Sequence, residues 1–199
     1  MRSTLLRTLV LTLLWASPLL AQGYPQRREG FTAAFGLGMG SAGITCDDCD
    51  TDRESAPSVF LRLGGAYRPN VILAGEINGW SKTDEADNGL GGEARVTMAT
   101  INFVAQWYPQ PTSGFFLNGG LGLGTIRTEI DLEDLPGTLS SNTTALGYQV
   151  GTGWDFRIAR NVSITPYATF FGSAGGKVED SDEKIDFNVG QIGIGLTFH

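Results

Sequence analysis

Few residues in this chain have types and spacings that could do chemistry. Cys46 and Cys49 enclose Asp47 and Asp48 in a C-x-x-C pattern. Such a pair can be redox-active, ligate a metal or close a short structural disulfide. A four-thiolate zinc site needs two more cysteines, and the chain has only 2. In an exported chain the disulfide is the favoured of the three readings. Around it, Asp47, Asp48, Asp50 and Asp52 supply the hard oxygen ligands that Ca²⁺ and Mg²⁺ require. Their spacing is not that of an EF-hand, which needs a glycine and a later glutamate. Weak, diffuse divalent-cation binding is therefore the sharper expectation, and a solvated acidic loop the plainer one. Hydrolysis has less to work with. A serine nucleophile needs a positioned base, and the single histidine, His199, stands at the opposite end of the sequence from those loop acids. The expectation is a non-enzymatic protein without a cofactor.

A second group of polar residues depends on where the chain places it. Arg62 and Glu76 sit in the middle of otherwise apolar alternating stretches, and Gln106, Gln149 and Asp155 occupy comparable positions. A turn of three residues centred on Pro69 would set Arg62 directly across from Glu76. An unpaired buried charge is costly, so these residues are expected to form one polar network that plugs an interior.

The elements that must hold them read as strands. Eight stretches alternate with period two: 30–40, 58–68, 71–81, 95–108, 115–126, 143–156, 162–173 and 185–198. They are rich in Gly, Thr, Val, Phe and Tyr, and each matches or slightly exceeds the ~9–11 residues of a tilted membrane strand. Short connections (69–70, 109–114, 157–161) alternate with long ones (41–57, 82–94, 127–142, 174–184). The long ones hold 17 of the 21 acidic residues and only five basic ones, whereas Arg68, Arg157 and Arg160 mark the short turns. The two ends of the molecule are thus electrostatically different.

The faces separate a membrane barrel from a soluble one. Val59, Leu61, Leu63 and Tyr67 oppose Arg62, while Val71, Leu73 and Ile77 oppose Glu76 and Asn78. A soluble ligand-binding barrel, the lipocalin-like alternative, would turn its apolar face inward. Charges in mid-strand suit a polar interior and a lipid-facing wall. Phe31, Tyr67, Trp107, Phe115, Trp154, Phe156 and Phe198 share the outward parity and cluster beside the short turns, as an aromatic girdle does. An outer girdle is less marked. Phe170 and Trp80 are its candidates, with Trp80 on the wrong parity, so a bulge or a register error is expected there.

The start of the chain reads as an address. Arg2 and Arg7 precede an apolar stretch, Leu5 to Leu20, and Ala21 offers a cleavage point. The expected organisation is a signal peptide over 1–21, a short periplasmic segment over 22–29 and a barrel over 30–199. Without Arg2 and Arg7 the remainder carries 12 basic and 21 acidic residues, a net charge of −9. That balance excludes nucleic acid as a partner.

This layout resembles the small OmpA/OmpX-type outer-membrane β-barrel superfamily over essentially all of the mature chain. Residues 191–198, QIGIGLTF, resemble the assembly signal of such proteins, alternating apolar residues that lead to a terminal aromatic; His199 departs from it by one residue. The resemblance implies an all-β, eight-stranded, antiparallel up-and-down transmembrane barrel in a Gram-negative outer membrane. It implies outer-membrane lipids and the barrel-assembly machinery as partners, and a monomer. Three functions are carried forward: a structural or surface-interaction protein with acidic external loops, a narrow channel or carrier for small, including apolar, molecules, and a secreted soluble lipocalin-like barrel that binds a ligand.

Overall fold

The computed structural model describes residues 28–46, 49–50, 52–85, 92–132, 138–176 and 185–199. The expected signal peptide and most of the segment after it lie outside the described residues. Eight long strands run antiparallel: β1 Phe31–Cys46, β2 Glu54–Arg68, β3 Val71–Glu85, β4 Gly92–Trp107, β5 Phe115–Leu132, β6 Thr138–Trp154, β7 Val162–Ala174 and β8 Ile185–Phe198. A two-residue piece, Cys49–Asp50, pairs back onto β1, and Phe156–Ala159 continues β6 beyond Asp155. Each strand pairs with its neighbours in sequence, and β8 closes on β1 from Ala33↔Phe198 to Cys46↔Ile185. A ladder followed from Ala33 through Leu63, Gly75, Phe103, Leu121, Tyr148, Gly172 and Asn188 returns to β1 at Gly43, ten residues further on. That stagger is what tilts the strands of a closed barrel. Closure also removes the sheet edge, so every strand in the apolar belt has its backbone groups paired.

Strand ends beside the short turns fall within two residues of where the alternation places them, and the opposite ends of all but β8 run further. β5 reaches Leu132, not Ile126, and β3 reaches Glu85, not Ser81. Eighteen residues at ~3.3 Å rise and ~40° tilt climb roughly 45 Å, well beyond a belt about 25 Å tall. The strands therefore project past the membrane on the acidic side. Period-two hydrophobicity stops at the belt while backbone pairing continues into water.

The wall is apolar outside. Phe31, Leu37, Leu63, Tyr67, Ile101, Phe103, Leu121 and Ile192 are all exposed, and Arg62, Glu76 and Asp155 are buried. Of the aromatic ring by the short turns, six members are exposed and Phe115 is half-buried. Phe115 packs on Trp154 at 6.0 Å, Trp154 stacks on Phe156 at 6.0 Å, and Phe198 stacks on Phe35 at 6.5 Å.

Trp80 differs from the outer-girdle expectation. No register shift occurs at it; β3 and β4 pair without interruption through Trp80↔Met98, and its ring is inside the barrel, 2% exposed. It belongs to an apolar layer with Ala42, Ala56, Met98, Phe171, Phe187 and Val189. The indole Nε1 donates to the Gly40 carbonyl at 3.0 Å, which satisfies the polar edge that a buried tryptophan carries.

Candidate functional site

Any activity confined to the barrel must use its lumen, which the strands fill in three levels. The turn that sets the middle level is not the expected three-residue one. It has two residues, Pro69 and Asn70, and a bulge between Ala66 and Arg68 that absorbs Tyr67. The bulge contributes the missing residue, and Arg62 lies opposite Glu76. Arg62 Nε donates to Glu76 Oε2, and Arg62 Nη1 to Gln106 Oε1.

From that pair a continuous chain of hydrogen bonds runs in both directions. Towards the long loops, Gln149 Nε2 and Asn78 Nδ2 both donate to Glu76 Oε1, at 3.0 and 3.2 Å. Asn78 and Asn102 each donate to Gln149 Oε1, at 2.9 and 2.8 Å, and Gln191 Nε2 donates to Asn78 Oδ1 at 3.0 Å. Towards the short turns, Gln106 Nε2 donates to the Tyr108 hydroxyl, which donates to Asp155 Oδ2 at 2.7 Å. Thr165 donates to Asp155 Oδ1 at 2.8 Å. The five polar residues singled out in the sequence, Arg62, Glu76, Gln106, Gln149 and Asp155, thus lie in one network. Each charge has a partner of opposite sign or several donors, the condition under which buried ions are tolerated.

Two further levels close the lumen. On the loop side, Trp80 and Met98 lie four residues beyond Glu76 and Asn102 along their strands, and Phe171, Phe187 and Val189 complete a dry layer. On the turn side, Ile72, Ala74, Tyr108 and Phe116 form a second apolar cluster. Phe60 and Tyr167 meet edge-to-face at 4.7 Å between them. Inward glycines do not leave water-filled space here. A Cβ on Gly36 would fall 2.4 Å from Phe60 Cε1 and 2.8 Å from Tyr167 Cε1, and one on Gly40 would fall 2.7 Å from Trp80 Cδ1. These glycines are the sockets into which the rings fit.

The mouth on the turn side holds two groups that sequence reasoning missed. Arg28 is 1% exposed; its guanidinium stacks 3.4 Å over the Tyr108 ring and donates to the carbonyls of Pro111 and Ser113 at 2.8 and 2.7 Å. It precedes the first strand, so no alternation pointed to it. His199 also folds in, with Nε2 at 3.6 Å from Asp155 Oδ2 and 3.4 Å from Ser163 Oγ. Burial pushes its pKa down to about 4; Asp155 opposes that shift, and Arg157 and Arg28 add to it. Serine, histidine and aspartate thus meet here, but not as a relay. Both partners approach the same ring nitrogen, whereas a triad places the carboxylate on the other one. Ser163 is also fully buried.

The acidic loop residues are described only in part. The backbone pairs Cys46 with Cys49, and the side chains of both lie outside the described residues, as do Asp47, Asp48 and the side chain of Asp50. Asp52 is exposed. Among the described residues no three His, Cys, Asp or Glu side chains group as metal ligands.

With this geometry in place, comparisons with known proteins identify the lineage. The family model of the outer membrane protein beta-barrel domain matches residues 8–198, and the chain belongs to that family. No curated protein sequence matches it. Among solved structures it is similar to Ail, the attachment invasion locus protein of Yersinia pestis, crystallised with the heparin analogue sucrose octasulfate. The TM-score is 0.63 at 15% identity, over 85% of this chain and 99% of that one. It is also similar to neisserial surface protein A, with a TM-score of 0.56 at 15% identity, over 85% of this chain and 96% of that one. At such identity the likeness is one of fold. The chain is an outer-membrane barrel of bacterial type, and its apolar face meets lipid.

Proposed function

We propose that this member of the outer-membrane β-barrel family is a sealed, non-enzymatic surface protein whose exposed business end is its acidic loops. The observation that carries the reading is the filled lumen. An apolar layer around Trp80 and Phe171 stands above a hydrogen-bonded polar network, and Tyr108, Phe116 and Arg28 close the other mouth. An eight-stranded barrel has an interior only wide enough for side chains, and here they occupy it at every level. Ions crossing it would have to break the Arg62–Glu76 pair and wet the apolar layer, both costly. The absence of relay geometry at His199 supports the non-enzymatic part.

The concentration of acidic residues at the loop-side end, in the outer strand ends and the connections beyond them, favours a cationic partner outside the cell, by charge complementarity. A polyanion such as the heparin analogue seen on Ail would meet repulsion from those loops. The barrel is expected to act as a monomer, placed by the barrel-assembly machinery. Planar-bilayer recording of the purified protein tests the sealed state: no steady single-channel steps are expected. Reproducible unitary steps that persist after reconstitution at high dilution would replace it with the narrow-channel reading.

A further inference from the structure

The chain carries an internal repeat that a barrel does not require. Residues 22–40, QGYPQRREGFTAAFGLGMG, align without a gap to residues 106–124, QWYPQPTSGFFLNGGLGLG. They share a leading Gln, then Tyr-Pro-Gln, Gly-Phe and Gly-Leu-Gly-x-Gly, ten identities in nineteen positions. The spacing is 84 residues, which relates β1 to β5, halfway round the barrel. Self-similarity of this kind marks a repeated structural unit. A strand needs the right polarity at each position and not the same residue, least of all in the segment that precedes it.

Strand pairing carries the repeat through the rest of the chain. With a spacing of 91 residues from β2, β3 and β4 to β6, β7 and β8, three of the four seams match residue for residue. Leu61↔Ile77 has its counterpart in Thr152↔Ala168, Trp80↔Met98 in Phe171↔Val189, and Ile101↔Leu123 in Ile192↔Met39. Only the seam of β1 with β2 departs. Leu37 pairs with Val59, whereas its counterpart Leu121 pairs with Tyr148, two residues from Val150. A slip of two keeps every side chain on its own face.

Both closures of the lumen fall on related positions. On the loop side, Trp80 and Met98 belong to the same apolar layer as Phe171 and Val189, with Ala42 and its counterpart Ile126 beside them. On the turn side, Tyr108 ends β4 and His199 ends β8, and both reach Asp155 Oδ2, at 2.7 and 3.6 Å. Related strands stand on opposite sides of an eight-stranded barrel, so related side chains face each other across a narrow lumen.

We infer that the barrel is two copies of one four-stranded unit, β1–β4 and β5–β8, and that each unit supplies half of both closures. The duplication stands on sequence and register; the shared closure rests also on the sealed-lumen reading. Residues 25–30 are then the counterpart of 109–114, the turn that joins the first unit to the second.

Circular permutants refolded in detergent test the duplication. One starts at Pro109, runs to His199, continues directly into Pro25 and ends at Tyr108, so that 25–30 joins the units in reversed order. A control has the same joint but opens between Pro69 and Asn70, inside a unit. Exposed turns tolerate opening in general, so ordinary tolerance predicts equal behaviour of the two. Interchangeable units predict a folded gel band for the first that is lost at the wild-type temperature, and a clearly lower temperature for the control. Equal loss in both, or a folded control beside an unfolded first permutant, would overturn the duplication. Cross-strand NMR contacts in the wild type read it independently: Ile101 must meet Leu123 and Ile192 must meet Met39, and another register at either seam removes the repeat. Planar-bilayer recording tests the shared closure. Trp80→Ser/Met98→Ser alters only the first unit's half and Phe171→Ser/Val189→Ser only the second's. Each folded variant is expected to show steps of similar size where the wild type is silent. A conducting wild type would remove the sealed-lumen reading and leave the duplication standing. A silent wild type with steps from one pair alone, or from neither, would overturn the shared closure.

Discussion

His199 shows how one side chain can set the acid limit of the molecule. Its ring sits against Asp155 with Ser163 beside it, and burial holds its pKa down at about 4 from an ordinary 6.5. The folded state therefore takes up the proton less readily than the unfolded chain. Above pH 6.5 neither state is protonated and stability does not change. Between 6.5 and 4 the unfolded chain gains the proton first, so stability falls as pH falls, by up to about 3 kcal/mol. The charged groups facing the ring are Asp155, which opposes the shift, and Arg157 and Arg28, which add to it. His199→Asn should flatten this part of the profile. The check is the temperature of loss of the folded gel band at pH 7, 5.5 and 4.5. The wild type should lose stability across the series and the variant much less, and parallel curves would remove His199 as the cause. None of this was legible in the sequence beyond the residue itself. Alternation does not say whether a histidine beside Phe198 turns out to water or in to a carboxylate; here the carboxylate is Asp155, which stands at the interruption after Trp154 and accepts hydrogen bonds from Tyr108 and Thr165.

Strand parity was the most legible level. Alternation alone assigned the faces of Arg62, Glu76, Gln106 and Gln149, because a one-residue slip would expose all of them to lipid. It failed at Trp80, where the expectation that tryptophan belongs to an interface outweighed the parity, although the parity was right. It also fell short at the outer strand ends, where serine, threonine and charge continue the ladder without hydrophobic contrast. The turn after β2 shows a correct register reached by a different route, a two-residue turn plus a bulge in place of three turn residues. That difference makes a prediction. Deleting Tyr67 removes the bulged residue and leaves Arg62 opposite Glu76, so the barrel should still form, with a modest loss of stability from one girdle ring. Deleting Leu61 instead shifts the rest of β2 by one and turns Phe60 and Ser58 towards lipid, against both β1 and β3. Heat-modifiability on gels distinguishes the two. The Tyr67 deletion should keep a folded band and the Leu61 deletion should lack one; the reverse result would mean that the bulge is not what sets the register.

At the scale of the whole molecule, the lumen is layered by polarity along the axis, and the layers divide the work of sealing. The polar network in the middle is linked side chain to side chain, through Glu76, Arg62, Gln106, Tyr108 and Asp155. The apolar layer on the loop side has no such partners; its one described polar edge, the Trp80 indole, is spent on the Gly40 carbonyl. A constriction of this kind excludes ions by staying dry, so its polarity should matter more than its size. Replacing Trp80 and Phe171 with leucine narrows the rings and keeps the layer apolar, whereas replacing both with serine makes it wettable. Each large-to-small change costs roughly 3–5 kcal/mol, so a folded gel band must first be shown for both variants. In planar bilayers the leucine pair should remain silent like the wild type, and the serine pair should show ion conductance. Conductance in both would place the seal in ring size alone, and silence in both would move it to the Arg62–Glu76 level or to Arg28 at the opposite mouth. The surface loops would be untouched in every variant, so a change in conductance without a change in loop-mediated binding would separate the barrel's role as a sealed support from whatever its acidic end contacts.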